Sequence, residues 1–222
     1  MSEAEDTTDI FDHVRRARGF MPLDEGRALH GAAVEAARTL GLPLLEIGSY
    51  CGRSTLLLAD AARAAGTVAV TVDHHRGSEE QQPGEEYHDP ATADPADPGR
   101  MDTLPLFRRT LAEAGVEEYV VAVVGGSARA ASALGGGGGG RYGLVFIDGG
   151  HSEAQAVEDY ESWVPQLAVD GLLVIHDVFP DPADGGQAPY RIWRRAVESG
   201  AFAEVSVCRS LRVLRRTVSD RV

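Results

Sequence analysis

Asp148 and His151 are the residues of this 222-residue chain best placed by type and spacing to do chemistry. The segment Phe146-Ile147-Asp148-Gly149-Gly150-His151 ends an apolar run in a carboxylate and sets an imidazole three residues on, at the mouth of a helical stretch. An imidazole with an ordinary pKa of about 6.5 can accept a hydroxyl proton near neutrality. The competing reading is a histidine that only caps the helix or bonds a neighbouring carbonyl; a strand-end aspartate beside it favours chemistry. A second apolar run closes on His176-Asp177. Asp148, His176 and Asp177 together form a candidate metal set whose mixed nitrogen and oxygen donors suit Mn, Fe or Zn. Magnesium prefers oxygen, and the two aspartates alone would hold it only with several waters. A third constellation is Glu46-Ile47-Gly48-Ser49-Tyr50-Cys51-Gly52-Arg53-Ser54. Glycines at 48 and 52 let the backbone turn sharply and approach a ligand. Tyr50 stands where a dinucleotide fingerprint needs glycine, which disfavours a pyrophosphate and leaves a nucleoside-type site. Asp73, ending the next strand, can accept both hydroxyls of a ribose.

The elements that must position these groups alternate. Strand-like runs are Leu44 to Ile47, Thr67 to Val72, Tyr119 to Val124, Leu144 to Ile147, Leu172 to Ile175, Ala203 to Val207 and Leu211 to Leu214. Helix-like stretches are Leu23 to Leu40, stopped by Gly41 and Pro43, then Ser54 to Ala65, Leu104 to Ala114, Ser152 to Leu167 and Tyr190 to Ser199. Continuously apolar strands alternating with helices imply an α/β fold, a doubly wound sheet covered on both faces. The last two strands, separated by a short Arg-Ser turn, must be antiparallel neighbours. Residues 1–22 read as a polar arm with a short helix, and 23–222 as a single domain.

Two segments break the alternation. Residues 74–103 carry four prolines, eight acids and two arginines, too long and polar for an ordinary connection. The segment is either an insertion that folds over a site or a disordered loop. Its His74-His75, Glu79-Glu80 and His88-Asp89 follow the ribose acid and could reach over a bound cofactor; a polar acidic lid is favoured over a zinc site, whose spacing they do not match. The glycine run 135–140 reads as a surface connection. The turn-rich stretch 181–190 is long enough to wall a pocket, with Tyr190 and Trp193 either stacking on a ligand or packing beneath the loop.

Composition removes other chemistries. The chain has no lysine and no asparagine, which excludes a phosphate-loop lysine, a Schiff base and an N-glycosylation site. A GC-rich genome accounts for both absences. A net charge of −13 argues against nucleic acid as a partner. No apolar run is long enough to span a membrane, and the acidic start is unlike a signal peptide, so a cytoplasmic protein without membrane contact is expected. Two cysteines make neither a disulfide framework nor a metal spacing.

The first glycine junction, followed by an apolar helix, resembles the first motif of class I S-adenosylmethionine-dependent methyltransferases. It is most similar to the catechol O-methyltransferase group, which shares the Tyr-Cys-Gly-x-Ser stretch. The downstream F-I-D-G-G-H-S and G-L-L-V-I-H-D-V-F resemble the fourth and fifth strand ends of bacterial small-molecule O-methyltransferases of the macrolide-sugar type. The resemblance spans residues 40–215 and implies a Rossmann-like seven-stranded sheet whose last strand is antiparallel. It implies that Glu46, Gly48, Tyr50, Gly52 and Ser54 line the methionine portion of S-adenosyl-L-methionine, that Asp73 holds its ribose, and that Ser127 contacts adenine. It further implies Asp148 and Asp177 as ligands of magnesium or another divalent metal, with His151 as general base. The family often has Glu-Asp or Asp-Asn where this chain has His176-Asp177, and the lysine that some relatives use as base is missing. The expected reaction is methylation of a hydroxyl on a small molecule, in the manner of natural-product enzymes; a homo-oligomer is compatible with it. Two other readings stay open, a catalytically inactive cofactor-binding partner and a metal-dependent hydroxylase or hydrolase built on the histidines of the insertion.

Overall fold

The computed structural model describes residues 9–85, 87–135 and 140–218. In chain order its elements are α1 (Ile10–Arg16), α2 (Leu23–Leu40), β1 (Leu44–Ile47), α3 (Arg53–Ala65), β2 (Ala69–Asp73), β3 (Ala93–Asp94), β4 (Asp97–Met101), α4 (Leu104–Glu113), β5 (Val120–Val124), α5 (Ser127–Leu134), β6 (Tyr142–Ile147), α6 (Glu153–Trp163), β7 (Leu167–Ile175), α7 (Ala188–Glu198), β8 (Phe202–Cys208) and β9 (Leu211–Arg216). Seven strands form one sheet in the order β5-β2-β1-β6-β7-β9-β8. All neighbours are parallel except β9, which runs antiparallel to both β7 and β8. The expected Rossmann-like sheet with an antiparallel last strand is therefore the observed one.

Burial explains why the central strands read as unbroken apolar runs. Residues of β1 and β6 are buried along their whole length, since both faces of the sheet are covered. One face carries Leu29, Ala33, Leu56, Leu58, Phe107 and Phe146; the other carries Leu45, Val145, Tyr160, Trp163, Leu173 and Ile192. Glycines in the left-handed conformation, Gly41 and Gly66, end α2 and α3, as the sequence expectation for α2 required. No helix among the described residues is long and apolar enough to cross a membrane.

Three local departures matter for the site. The arm is not wholly polar: Ile10, Phe11 and Val14 of α1 join the core beside α3. The insertion is folded, with a short β3–β4 hairpin and two 3-10 turns, and of the two sequence readings the structure has the ordered one. Its neck is closed by His75 Nδ1 and Thr103 Oγ1 at 2.8 Å and by the Thr103 N–H donating to His75 O at 3.1 Å. Of the glycine run, positions 136–139 lie outside the described residues.

Candidate active site

Register alone lines up the chemical residues. Ile47 pairs with Val72 and with Ile147, and Ile147 with Ile175. The next residues, Asp73, Gly48, Asp148 and His176, therefore stand side by side at the carboxyl ends of β2, β1, β6 and β7, where open α/β sheets bind ligands. Gly48 has φ +85°, and a Cβ there would collide with the carbonyl oxygen of Asp148. Glycine is what lets the first junction pass so close to the end of β6. Tyr50, His75 and Asp177 also hold left-handed backbones, three of the five non-glycine cases among the described residues. Such conformations cost about 1–3 kcal/mol each and concentrate at functional sites.

Asp73 organises the junction. Its Oδ2 accepts the N–H groups of Ser49 at 2.9 Å and Tyr50 at 2.8 Å, while its Oδ1 accepts that of His75 at 2.7 Å. A carboxylate offers about four lone-pair positions, so this arrangement still leaves acceptor capacity for a ribose hydroxyl. Glu46 and Ser54 do not face that side. Both are buried, and Glu46 takes the hydroxyls of Ser54 and Thr55, each at 2.5 Å, beneath the junction. Ser127 is likewise committed: its Oγ accepts from Trp163 Nε1 at 2.8 Å and it bonds Asp159. In this structure all three side chains are engaged with protein partners.

Burial raises the Glu46 carboxyl to a pKa of about 8, outweighing the two hydroxyls that favour its charge. A folded value above the ordinary 4.5 means the protonated acid is the form that fits. The stability it contributes is present below about pH 4.5 and lost as pH rises through about 8. Glu46→Gln, which mimics the neutral acid, should therefore gain on the natural chain by roughly 3–5 kcal/mol between acid and pH 9. Urea unfolding at several pH values checks this; a pH-independent difference would show that Glu46 is ionised in the fold.

The reacting end is a chain of alternating acids and imidazoles. His176 Nδ1 lies 3.0 Å from Asp148 Oδ1 and 3.2 Å from Asp177 Oδ2, and its Nε2 lies 2.9 Å from Glu25 Oε2. His151 Nε2 lies 3.1 Å from Asp177 Oδ2, and its Nδ1 lies 2.9 Å from Glu80 Oε1. Ionised carboxylates only accept, so both nitrogens of both rings carry protons here. Burial by itself would lower the His151 pKa, but Asp177 and Glu80 override it and raise the ring to about 10. Burial also opposes the charge on His176, yet Asp148, Asp177 and Glu25 raise it well above its ordinary value. The same pairs hold Asp177 well below the usual carboxylate range despite its burial.

This geometry bears on the metal expectation. Both nitrogens of His176, like both nitrogens of His151, face carboxylates, so either ring must lose a proton before it can hold a metal. The set whose ligand atoms converge is Asp148, His151 and Asp177, all within 4.8 Å of one another. His74 and His88 of the insertion do not join it: His74 Nδ1 accepts the Arg76 N–H at 3.0 Å, and His88 Nδ1 lies 3.3 Å from Gln81 O. The hydrolase or hydroxylase reading thus loses its histidines. Tyr190 and Trp193 pack on each other with ring centroids 5.4 Å apart and lie against the core, with Trp193 Nε1 donating to Glu204.

Sequence alone misses Glu25 and, although it singles out Glu80 in the insertion, misses that residue's partner. Glu25, buried in the first turn of α2, takes His176 Nε2 and also the backbone N–H and hydroxyl of Ser210, each at 2.7 Å. Glu80 reaches His151 from the insertion. Neither partner lies near in sequence, so no local pattern could have announced them.

A parallel sheet reversed at its last strand, with a glycine junction on β1 and acids at the ends of β2, β6 and β7, defines a class I methyltransferase fold. The model of the methyltransferase domain family matches residues 45–178, and the chain belongs to that family. Among solved structures, cofactor-bound Rv0187 from MTB has a TM-score of 0.62 at 21% identity, over 93% of this chain and 87% of that one. The SAH-bound methyltransferase PaMTH1 of Podospora anserina has a TM-score of 0.60 at 17% identity, over 94% and 88%. The O-methyltransferase TomG of Streptomyces achromogenes, involved in tomaymycin synthesis and solved with SAM, has a TM-score of 0.59 at 18% identity, over 98% and 92%. At these identities the likeness establishes the fold.

Proposed function

We propose that the protein transfers a methyl group from S-adenosylmethionine to a hydroxyl oxygen of a small molecule, with His151 as the proton acceptor. The observation that carries this reading is the meeting of Asp148, His151 and Asp177 at the sheet edge, one strand from the Gly48 junction. Cofactor-bound relatives such as PaMTH1 and TomG share the whole fold, and TomG is an O-methyltransferase.

The chain fits the cofactor at Asp73, whose Oδ1 accepts a single N–H and retains acceptor capacity. The cofactor, when bound, supplies the activated methyl group. Tyr50 and Gly52 shape the junction beside it. The Tyr50 Oη is buried beside Thr92 of the insertion and Cys51. For His151 to accept the acceptor's proton, its Nε2 must first pass its own proton to solvent water and release Asp177, while Glu80 keeps Nδ1. The sequence has no lysine, and the other imidazole at this edge, His176, is buried between Glu25 and Asp148. The protein's remaining contribution is positioning, holding oxygen and methyl group in line.

Asp148 and Asp177 also fit a divalent cation by donor type and convergence, with His151 as a third ligand once its Nε2 has lost its proton. Such an ion would lower the pKa of the acceptor hydroxyl. With two carboxylates and one imidazole the site suits Mn, Fe or Zn at least as well as magnesium.

The test is calorimetric titration with S-adenosylmethionine and its demethylated product, followed by turnover on a panel of hydroxyl acceptors. Binding without turnover on any acceptor would leave the inactive cofactor-binding partner as the better reading. Chelator treatment should abolish turnover and a divalent ion restore it; full turnover in chelator removes the cation and leaves His151 and positioning.

A further inference from the structure

The insertion between β2 and α4 touches the reacting end of the site through one side chain, Glu80. We propose that Glu80 is a positioning residue for His151, so that the insertion supplies part of the machinery as well as covering it. The activity arm of this inference rests on the methyltransferase reading; the structural arm does not.

Glu80 Oε1 and His151 Nδ1 are 2.9 Å apart, with both side chains about one-third exposed or less. When the ring gives up one of its two protons, the hydrogen bond held by the other nitrogen decides which tautomer remains. A carboxylate on Nδ1 obliges that nitrogen to carry its proton and turns Nε2 toward Asp177 and Asp148. This ring orientation serves His151 equally as proton acceptor or as ligand, since functional histidines usually donate their second N–H to an acceptor that fixes them.

An exposed ion pair by itself would mean little. This one is built. Glu80 sits on the 3-10 turn Glu79–Gln81, closed by a reciprocal cap in which Ser78 receives Gln81 and Gln81 receives Ser78. Ser78 Oγ donates to Glu80 Oε1 at 3.3 Å, and Gln82 Nε2 ties the same turn to Ser78 O at 2.8 Å. Gly77, at φ +72°, leaves room for Met101, whose sulfur a Cβ would strike. At the far side Arg18 of the arm bonds Asp89 at 2.6 Å, and Phe20 lies against Tyr87 and Tyr50. The insertion is thus held at its neck, its turn and its outer end. Held there, it brings a further carboxylate to a site that already has Glu25, Asp148 and Asp177 against two imidazoles.

The test uses the full chain labelled with [15N]histidine. The His151 ring is assigned by the signal missing from His151→Gln, and spectra are compared for the natural chain, Glu80→Ala, Glu80→Gln and Arg18→Ala. Glu80→Ala should change the Nδ1 signature of His151 and lower kcat about 10–100-fold with the cofactor KM little changed. Glu80→Gln, whose amide oxygen still accepts, should restore part of both. Arg18→Ala removes only the outer anchor and leaves the neck and the Glu79–Gln81 turn that carry Glu80, so it should alter neither. An unchanged His151 signature in Glu80→Ala overturns the proposal. So does an Arg18→Ala chain that reproduces the Glu80→Ala losses, since Glu80 would then be a clasp only. If no acceptor is methylated by the natural chain, the functional reading fails, while the ring signatures still decide the role of Glu80.

Discussion

His151→Ala should lower kcat by about 10²–10⁴-fold, the usual contribution of a positioned proton acceptor, and leave the cofactor dissociation constant nearly unchanged. The two effects separate because His151 sits past the end of β6, while the groups expected at the cofactor, Gly48, Tyr50 and Asp73, belong to β1, β2 and the junction between them. The fold itself should tolerate the change. The His151 side chain is 28% exposed, and its partners Glu80 and Asp177 are 33% and 26% exposed, so water can take over their hydrogen bonds. Because Asp177 and Glu80 raise the ring to about 10, its removal should cost on the order of 1–3 kcal/mol at neutral pH after solvent screening. Saturation kinetics, calorimetry with the demethylated cofactor and urea unfolding measure the three quantities. Undiminished kcat would remove His151 from the proton transfer; lost cofactor binding would place it in the wrong part of the site.

Much of this site was legible because each central strand is an apolar run that stops at a chemical residue. Gly48, Asp73, Asp148 and Asp177 could be placed at one edge from sequence, since parallel strands joined by helices all end on the same side. Orientation was not legible. His176 precedes Asp177 and looked like a third ligand, yet its Nε2 belongs to Glu25, 151 residues away. Ser127 opens α5 where a nucleobase contact is expected, but Trp163, 36 residues on, takes its hydroxyl. Glu46 and Ser54 flank the glycine junction, and only the packing of α3 against β1 shows that they bond each other. The arm misled for a different reason. Acids dominate its first residues, and the Ile10, Phe11 and Val14 face of a seven-residue helix is too short to stand out. The β3–β4 hairpin hid behind Pro95 and Pro98, which argue against strands except at unshared edges, where this hairpin is.

Glu25→Ala should be the costliest single change in stability. Glu25 is 1% exposed and His176 is 5% exposed, so the alanine chain keeps a buried imidazolium stripped of one carboxylate. It also strands the N–H and hydroxyl of Ser210 at the β8–β9 turn. Breaking a buried pair from one side costs about 3–5 kcal/mol, because the partner's charge remains unsolvated. At roughly 2–4 °C per kcal/mol for a chain of this size, Tm should fall by about 6–20 °C. The sign with pH follows from the two partners. Burial opposes the charge on Glu25, but His176 and Ser210 hold its pKa below the ordinary 4.5; this stability is present above 4.5 and lost as pH falls through the folded value. His176 is raised above its ordinary 6.5, so its share is complete below 6.5 and lost as pH rises toward the folded value. The gap between the natural chain and Glu25→Ala should therefore be widest between about pH 4.5 and 6.5 and narrow on either side. Glu25→Gln keeps an acceptor for Ser210 and should be milder at every pH. Thermal unfolding across this range decides it: a gap that is small, or flat with pH, would mean that His176 is neutral in the fold, and that the acid–imidazole chain at the sheet edge begins at Asp148 rather than at α2.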